Sequence, residues 1–231
     1  MADAEALTPR VFIARHGETE WAKNGRHTGK TDIELTPYGI KQVHTSAKEL
    51  VGAKKLLDPA RLAHVFVSPR IRAQQTFHLL FEGANSVPDE SVTVTEDIAE
   101  WDYGDYEGLK TAEIHALRKS RGLDAERPWS IWKDGSEGGE SPEQIAERLD
   151  RLIAQIRDIQ RPAMKGEKAA DVVVVAHGHI LRVFAKRWLN CPVDLPVDMV
   201  LPPGGIGILS YKNNNVNEPA IQIGIALPVT D

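Results

Sequence analysis

Short apolar runs alternate with amphipathic stretches along most of this chain. Val11-Phe12-Ile13-Ala14 reads as a buried strand, and a polar cluster follows it at once. The Gly- and Lys-rich stretch 21–35 has no period and reads as a loop. Thr36 then caps a helix with Pro37 in its first turn, and Ile40, Val43, Ala47 and Leu50 recur at helical spacing. Residues 63–67 predict a second strand. Ser68-Pro69 repeats the cap-plus-proline device and predicts a helix carrying Ala73, Phe77 and Leu80. The β-branched segment 92–95 is a strand candidate.

The second half begins with an aromatic and acidic stretch, 96–109, of the kind that forms a loop over a site. A short helix is expected over 112–118. Residues 121–140 are long and nearly aperiodic, which points to a lid or binding element tied down by Trp129 and Trp132. Ser141-Pro142-Glu143-Gln144 combines a cap, a proline and a capping box, and the stripe Ile145, Leu149, Leu152, Ile156, Ile159 carries that helix to about Gln160. Residues 172–176 are apolar on both faces, as in a central parallel strand. A helix with Leu181, Phe184 and Trp188 follows. The loop 192–205 leads to late strands at 207–211 and 221–227, joined by the Asn213–Asn215 turn and expected as antiparallel edges. This order predicts an α/β fold, a three-layer α/β/α sandwich with a mostly parallel central sheet. One domain spanning 1–231 is expected, with a lid-like excursion inserted around 97–140.

Composition narrows the function. Of 231 residues, 42% are apolar and 26% charged, a globular rather than disordered balance. A chain this long buries roughly 70% of its unfolded surface and needs no staples. Lys plus Arg number 28 against 33 Asp plus Glu, a net charge of -5, so no nucleic-acid partner is expected. Cys191 is the single cysteine, which excludes an intramolecular disulfide and a cysteine-rich zinc site and fits a reducing compartment. The acidic start, a loose leader over 1–9, has no signal-peptide core, and no apolar run suits a bilayer. A cytoplasmic protein is expected, with the nucleus open as a second compartment and no membrane partner. Homo-oligomerisation stays open.

Three strands end in chemistry-bearing residues: Arg15-His16-Gly17, Ser68-Pro69-Arg70-Ile71-Arg72 and His177-Gly178-His179. Parallel strands bring such clusters to one sheet edge. Arginines, imidazoles and helix N-termini gathered there suit a phosphoryl group. Glu100 adds a carboxyl group to protonate a leaving alkoxide, and an imidazole can attack phosphorus. Reading His16, His177 and His179 as metal ligands lacks a partnering carboxylate cluster, so no metal and no cofactor are expected.

Arg15-His16-Gly17-Glu18-Thr19 resembles the signature of the histidine phosphatase superfamily, also called phosphoglycerate mutase-like. Further blocks are similar: Thr28-Gly29 with Asp32, Leu35-Thr36 and Gly39; Ser68 to Ala73 with Thr76; Glu100, Tyr103, Gly104, Glu107 and Gly108; and Ala176-His177-Gly178-His179 with Arg182. The resemblance spans about residues 10–210. It implies that His16 is a phosphorylated nucleophile, that Arg15, Arg72 and His177 form the phosphate pocket with it, and that Glu100 is the proton donor and later the base for water. For that role Glu100 needs a proton, which packing near Trp101 and Tyr103 or the substrate's charge would favour. An asparagine often found seven residues after the motif's arginine is here Ala22; Asn24, Thr28 or a water can replace its contact, and the change argues against a standard glycolytic mutase.

Residues 100–108, 117–124, 126–135 and 204–211 further resemble the fungal sedoheptulose 1,7-bisphosphatase subgroup, which is longer between about Asn190 and Gly204. The resemblance implies a metal-independent phosphatase that removes the 1-phosphate of this sugar, serving ribose synthesis in the pentose phosphate route. A broader sugar-bisphosphate phosphatase acting on fructose bisphosphate, a phosphoglycerate mutase and an inactive phospho-ligand scaffold are the alternatives. The expected partner is a small phosphorylated sugar. Its contacts are expected from Gly17, Thr28, Gly29, Tyr103, Gly178 and His27, with Arg70, Arg118, Lys119, Arg121 and Lys133 as candidates for a distal phosphate.

Overall fold

Residues 8–224 are described by the computed structural model of the chain. Residues 1–7 of the leader, and 225–227 of the expected last strand, lie outside the described residues. Six strands form one sheet: β1 (Val11–Arg15), β2 (Leu62–Val67), β3 (Val92–Val94), β4 (Asp171–Ala176), β5 (Ile206–Tyr211) and β6 (Pro219–Ile221). Their order is β3-β2-β4-β1-β5-β6. The first four in that order run parallel, and β5 and β6 are antiparallel additions.

Alternation along the central strands builds two cores. Val11, Ile13, Val172 and Val174 face one side, whereas Phe12, Ala14, Val173 and Val175 face the other. The first core packs under α6 (Pro142–Gln160) and α7 (Gly178–Trp188), the second under α2 (Pro37–Leu50) and α3 (Ile71–Leu80). Every residue of β4 is buried, which is why its sequence is apolar on both faces. Full burial of one valine side chain contributes about 1.5 to 3 kcal/mol, so this strand anchors both layers.

Helix starts follow local chemistry. In α6, Ser141 Oγ accepts from Gln144 N, and Gln144 Oε1 accepts from Ser141 N at 2.8 Å, the expected capping box. The Ser68-Pro69 expectation is corrected: α3 starts later, at Ile71. Ser68 Oγ accepts from His177 Nε2 instead, and Asp32 Oδ1 takes the Ile71 N–H at 2.6 Å. The stretch 21–35 is not wholly loop either. Thr19 caps a five-residue helix, α1 (Glu20–Asn24), which Gly25 closes with φ 80. One turn is too short to show a period.

The excursion carries α4 (Thr111–Ser120) and α5 (Ile131–Asp134). Trp129 ties it down by donating from Nε1 to Gly135 O at 2.9 Å, and Trp132 packs edge-on against Trp101. The last hairpin comes earlier than expected, pairing Tyr211 with Pro219 and Leu209 with Ile221. Asn213 and Asn214 take left-handed φ of 53 and 50 in its turn.

Candidate active site

The C-terminal ends of three adjacent strands supply the centre. His16 follows β1, His177 follows β4 and Ser68 follows β2. Backbone pairing runs past the strand ends: His16 N donates to Ala176 O at 2.9 Å and Ser68 N to Val175 O at 3.0 Å. The two imidazoles lie with ring centroids 5.1 Å apart.

Partners fix the tautomers. Gly17 O can only accept, so His16 Nδ1, 2.7 Å away, carries the proton and Nε2 keeps its lone pair. Burial, with the Arg72 and Arg15 charges, pushes the His16 pKa down to about 3 and keeps the ring neutral. Arg72 Nε can only donate, so His177 Nδ1 accepts at 3.0 Å and Nε2 gives its proton to Ser68 Oγ at 2.6 Å. Burial, then Arg72, holds His177 well below the ordinary imidazole range.

Beside His16 lies a cavity of about 240 Å³. Arg15, His16, Glu100, Tyr103, Gly178 and Arg182 line it, together with Thr19, Ala22, Gly25, Arg26, His27, Thr28, Thr111 and His179. Arg15 Nη1 donates to Leu201 O at 2.8 Å, whereas its Nε is buried with no hydrogen-bond partner among the described residues. Burial pushes the Arg15 guanidinium down from its ordinary value and Glu100 pulls it back up. Arg182 Nε donates to Met199 O at 3.0 Å. The loop 192–205 thus places two pocket arginines through its carbonyl groups.

Glu100 sits under the first turn of α7. Its Oε1 accepts from Trp101 N at 3.0 Å and Ile180 N at 2.9 Å, and its Oε2 accepts from His179 N at 3.1 Å. The expected apolar nest is therefore only half of its surroundings, since three backbone donors face the carboxyl oxygens. Tyr103 Oη shares a 2.6 Å hydrogen bond with His179 Nδ1, and the His179 ring stacks on His27 at 5.6 Å. Burial raises the Tyr103 phenol and lowers His179 to about 3, so both are neutral.

Several expected contacts fall elsewhere. Gly17 and Gly29 do not line the cavity; they make room for backbone. A Cβ at Gly17 would meet Gly39 O at 2.6 Å, and one at Gly29 would meet Trp101 O at 2.4 Å. Arg72 and His177 lie beneath the lining, fully buried. Arg72 gives its other donors to Thr31 O, Thr28 O and Gly29 O. The distal candidates have partners of their own. Arg70 pairs with Glu96, Arg118 with Asp124 and Tyr106, and Arg121 with Asp105 and Glu137. These are ties within the loop and excursion, and neither Lys119 nor Lys133 reaches the cavity. Of the Ala22 substitutes, Thr28 is in the lining and Asn24 is not. The sequence pattern does not single out Arg26, whereas Thr19 and Arg182 stand in the first and second histidine blocks without a role of their own.

Among the described residues, no group of three or more His, Cys, Asp or Glu is placed to hold a metal ion, and no helix is long and apolar enough to cross a membrane.

Comparison with known proteins gives a consistent picture. The family model of the histidine phosphatase superfamily (branch 1) matches residues 11–221. The chain is similar to sedoheptulose 1,7-bisphosphatase of Saccharomyces cerevisiae, 40% identical over 255 aligned positions covering 94% of this chain and 93% of that one. An acid phosphatase of Mycobacterium tuberculosis is 35% identical, covering 88% and 87%. A solved structure of an open reading frame product from Mycobacterium tuberculosis superposes with a TM-score of 0.72 at 32% identity, covering 93% of this chain and 96% of that one.

Proposed function

The chain belongs to the histidine phosphatase superfamily (branch 1), and from that premise we propose that it is a metal-independent sugar bisphosphatase that removes the 1-phosphate of sedoheptulose 1,7-bisphosphate through a phosphohistidine. The observation that carries the reading is the pairing of the free His16 Nε2 lone pair with the unpartnered, buried Arg15 Nε in one cavity.

In the first step His16 Nε2 attacks phosphorus. The N–P bond forms, the P–O bond to the sugar breaks, and Glu100 gives its proton to the departing oxygen. The Gly17 carbonyl steadies the positive charge that grows on the ring, because Nδ1–H points at it. Arg15 holds the equatorial oxygens as their charge redistributes, and Arg72, beneath the lining with its donors on backbone carbonyls and His177, adds its positive charge through space. His177, held by Arg72 with its Nε2–H on Ser68 Oγ, reaches that group only by turning this proton away from the hydroxyl. In the second step Glu100, now a carboxylate, takes a proton from water; the hydroxyl joins phosphorus and the electron pair returns to His16 Nε2. The arginines supply the positive charge that a metal supplies in other phosphatases.

The substrate reading rests on the similarity to the Saccharomyces cerevisiae enzyme. The second phosphate needs a cation on the same cavity wall, and Arg26 and Arg182 are there while Arg70, Arg118 and Arg121 are not. Phosphate release in EDTA tests all of this, comparing sedoheptulose 1,7-bisphosphate with fructose 1,6-bisphosphate, 3-phosphoglycerate and p-nitrophenyl phosphate. A preference of about tenfold or more in kcat/KM for the seven-carbon substrate, about 1.4 kcal/mol, abolished in His16→Ala, supports the assignment. Equal turnover of all esters sinks the substrate, and 2-phosphoglycerate formed without free phosphate sinks the hydrolase.

A further inference from the structure

We infer that Arg148, on the opposite side of the Glu100 loop from the cavity wall, is a positioning residue that sets where Glu100 delivers its proton. This deepens the proposed function and rests on Glu100 being the acid there.

Arg148 interrupts the apolar stripe of α6 between Ile145 and Leu152 and is only 8% exposed. A buried arginine is costly unless its charge and donors are matched. Here they are matched almost entirely by the backbone that leads to Glu100. Nη1 donates to Asp97 O at 3.0 Å and Ala99 O at 2.9 Å, with Glu96 O at 3.3 Å, and Nη2 reaches Glu100 O at 3.5 Å. The carbonyls of Glu96, Asp97, Ala99 and Glu100 are thereby gathered on one planar cation.

The rest of the fork faces Glu140. Arg148 Nε meets Glu140 Oε1 at 2.8 Å and Nη2 meets Oε2 at 3.1 Å, a bidentate pair. Glu140 in turn grips the far side of the same loop. Its Oε2 accepts from Asp102 N at 2.9 Å, its N–H donates to Asp102 O at 3.0 Å, and its carbonyl accepts from Trp101 Nε1 at 2.9 Å. Residues 96–102 are therefore clamped before and after Glu100 by one ion pair. The loop has no strand partner of its own at residue 100, so the pair supplies the rigidity that a sheet would otherwise give. Small displacements of an acid matter because proton transfer needs hydrogen-bond reach.

A purely structural arginine and a positioning one differ in which substrates suffer. A sugar alkoxide must be protonated as it leaves, whereas p-nitrophenolate leaves without help. The experiment compares wild type, Arg148→Lys, Glu140→Gln and Glu100→Gln on sedoheptulose 1,7-bisphosphate and p-nitrophenyl phosphate, with circular dichroism confirming the fold. Arg148→Lys should lose about tenfold or more in kcat/KM on the sugar ester and less than about threefold on the aryl ester, because kcat/KM covers the steps through departure of the alcohol and leaves out the water step that both esters share. Glu100→Gln should show the same selectivity, larger. Equal losses on both esters in Arg148→Lys, or none, while Glu100→Gln stays selective, overturn the inference and leave the acid in place. Loss of selectivity in Glu100→Gln removes the acid reading and this inference with it. Where Arg148→Lys yields no folded protein, Glu140→Gln decides by the same criterion.

Discussion

Arg72 Nε donates to His177 Nδ1 at 3.0 Å, with both side chains wholly buried. That single bond dictates the His177 tautomer, since a guanidinium never accepts. It also joins the first turn of α3 to the end of β4, while the same guanidinium holds Thr28, Gly29 and Thr31 through their carbonyls. Among the described residues, its charge meets no carboxylate within hydrogen-bond distance. Glu100 acts on it only through space. A buried cation paired with neutral acceptors leaves the centre positive and suited to an anion.

Replacing Arg72 should therefore harm both stability and turnover. Arg72→Met leaves three carbonyls and His177 Nδ1 without donors, at a cost of about 3 kcal/mol or more. Arg72→Lys keeps the charge and one or two of these bonds, so it should recover much of the stability while kcat stays about a hundredfold or more below wild type. Urea unfolding and phosphate release, run on the same preparations, separate the two effects. Turnover of Arg72→Lys within a few-fold of wild type would contradict a role for the guanidinium fork.

Gly178 is a glycine because of Arg15. A Cβ there would sit 3.3 Å from Arg15 Cζ and 3.4 Å from its Nη2, so the guanidinium would have to shift. The backbone at this position is ordinary for a first helical residue, and alanine favours helix. Gly178→Ala should thus leave the unfolding midpoint nearly unchanged and lower kcat/KM by about tenfold through the displaced arginine. A variant with lower stability and unchanged kcat/KM would place the constraint in the helix rather than in Arg15.

The fold and the candidate centre are legible because they rest on local signals. Apolar runs ending in Arg15-His16-Gly17 and His177-Gly178-His179 mark parallel strands feeding one edge, and the Ser141 capping box marks α6. Charge partners were not readable in this way. Arg118 and Arg121 look like free cations in a lid, yet Asp124, Asp105 and Glu137 take them once the excursion folds back. Arg182 acquires its place only through Met199 O, seventeen residues later in an irregular loop. Arg148 gives no signal in the sequence, because its meaning depends on carbonyls about fifty residues earlier. Periodicity reports which face is buried; it does not report which polar group waits there.

Anions that mimic the phosphoryl group should bind the folded chain and stabilise it. Arg15 Nε has no partner and Arg182 and Arg26 share its cavity. Orthovanadate at about a hundred times its Kd should add about 2.7 kcal/mol to the unfolding free energy. Arg15→Ala should weaken binding by tenfold or more, and the shift in Tm should shrink accordingly. An equal Tm shift in wild type and Arg15→Ala would place the anion elsewhere.

The buried imidazoles make stability depend on pH in a defined direction. Burial, then Arg72, lowers His16 to about 3, and burial, then His27, lowers His179 to about 3. Burial, then Arg72, lowers His177 as well. In the unfolded chain these rings take up protons as pH falls through the ordinary value of 6.5, whereas the folded chain refuses them. The unfolded state then binds more protons, so unfolding free energy falls with falling pH, by about 1.4 kcal/mol per unit for each ring. Stability is complete above about pH 7, and at pH 5 His16 and His179 have each removed about 2 kcal/mol. Urea midpoints at pH 7, 6 and 5 should decline accordingly, and His179→Gln should flatten the slope by one ring's share. His16 itself stays neutral through this range, so kcat/KM measured on folded protein should show no acidic limb from the nucleophile between pH 7 and about pH 4. A His16 ring that takes up a proton near pH 6.5 in the folded protein, read from its NMR shifts without substrate, would show that Arg15 and Arg72 do not hold its lone pair free.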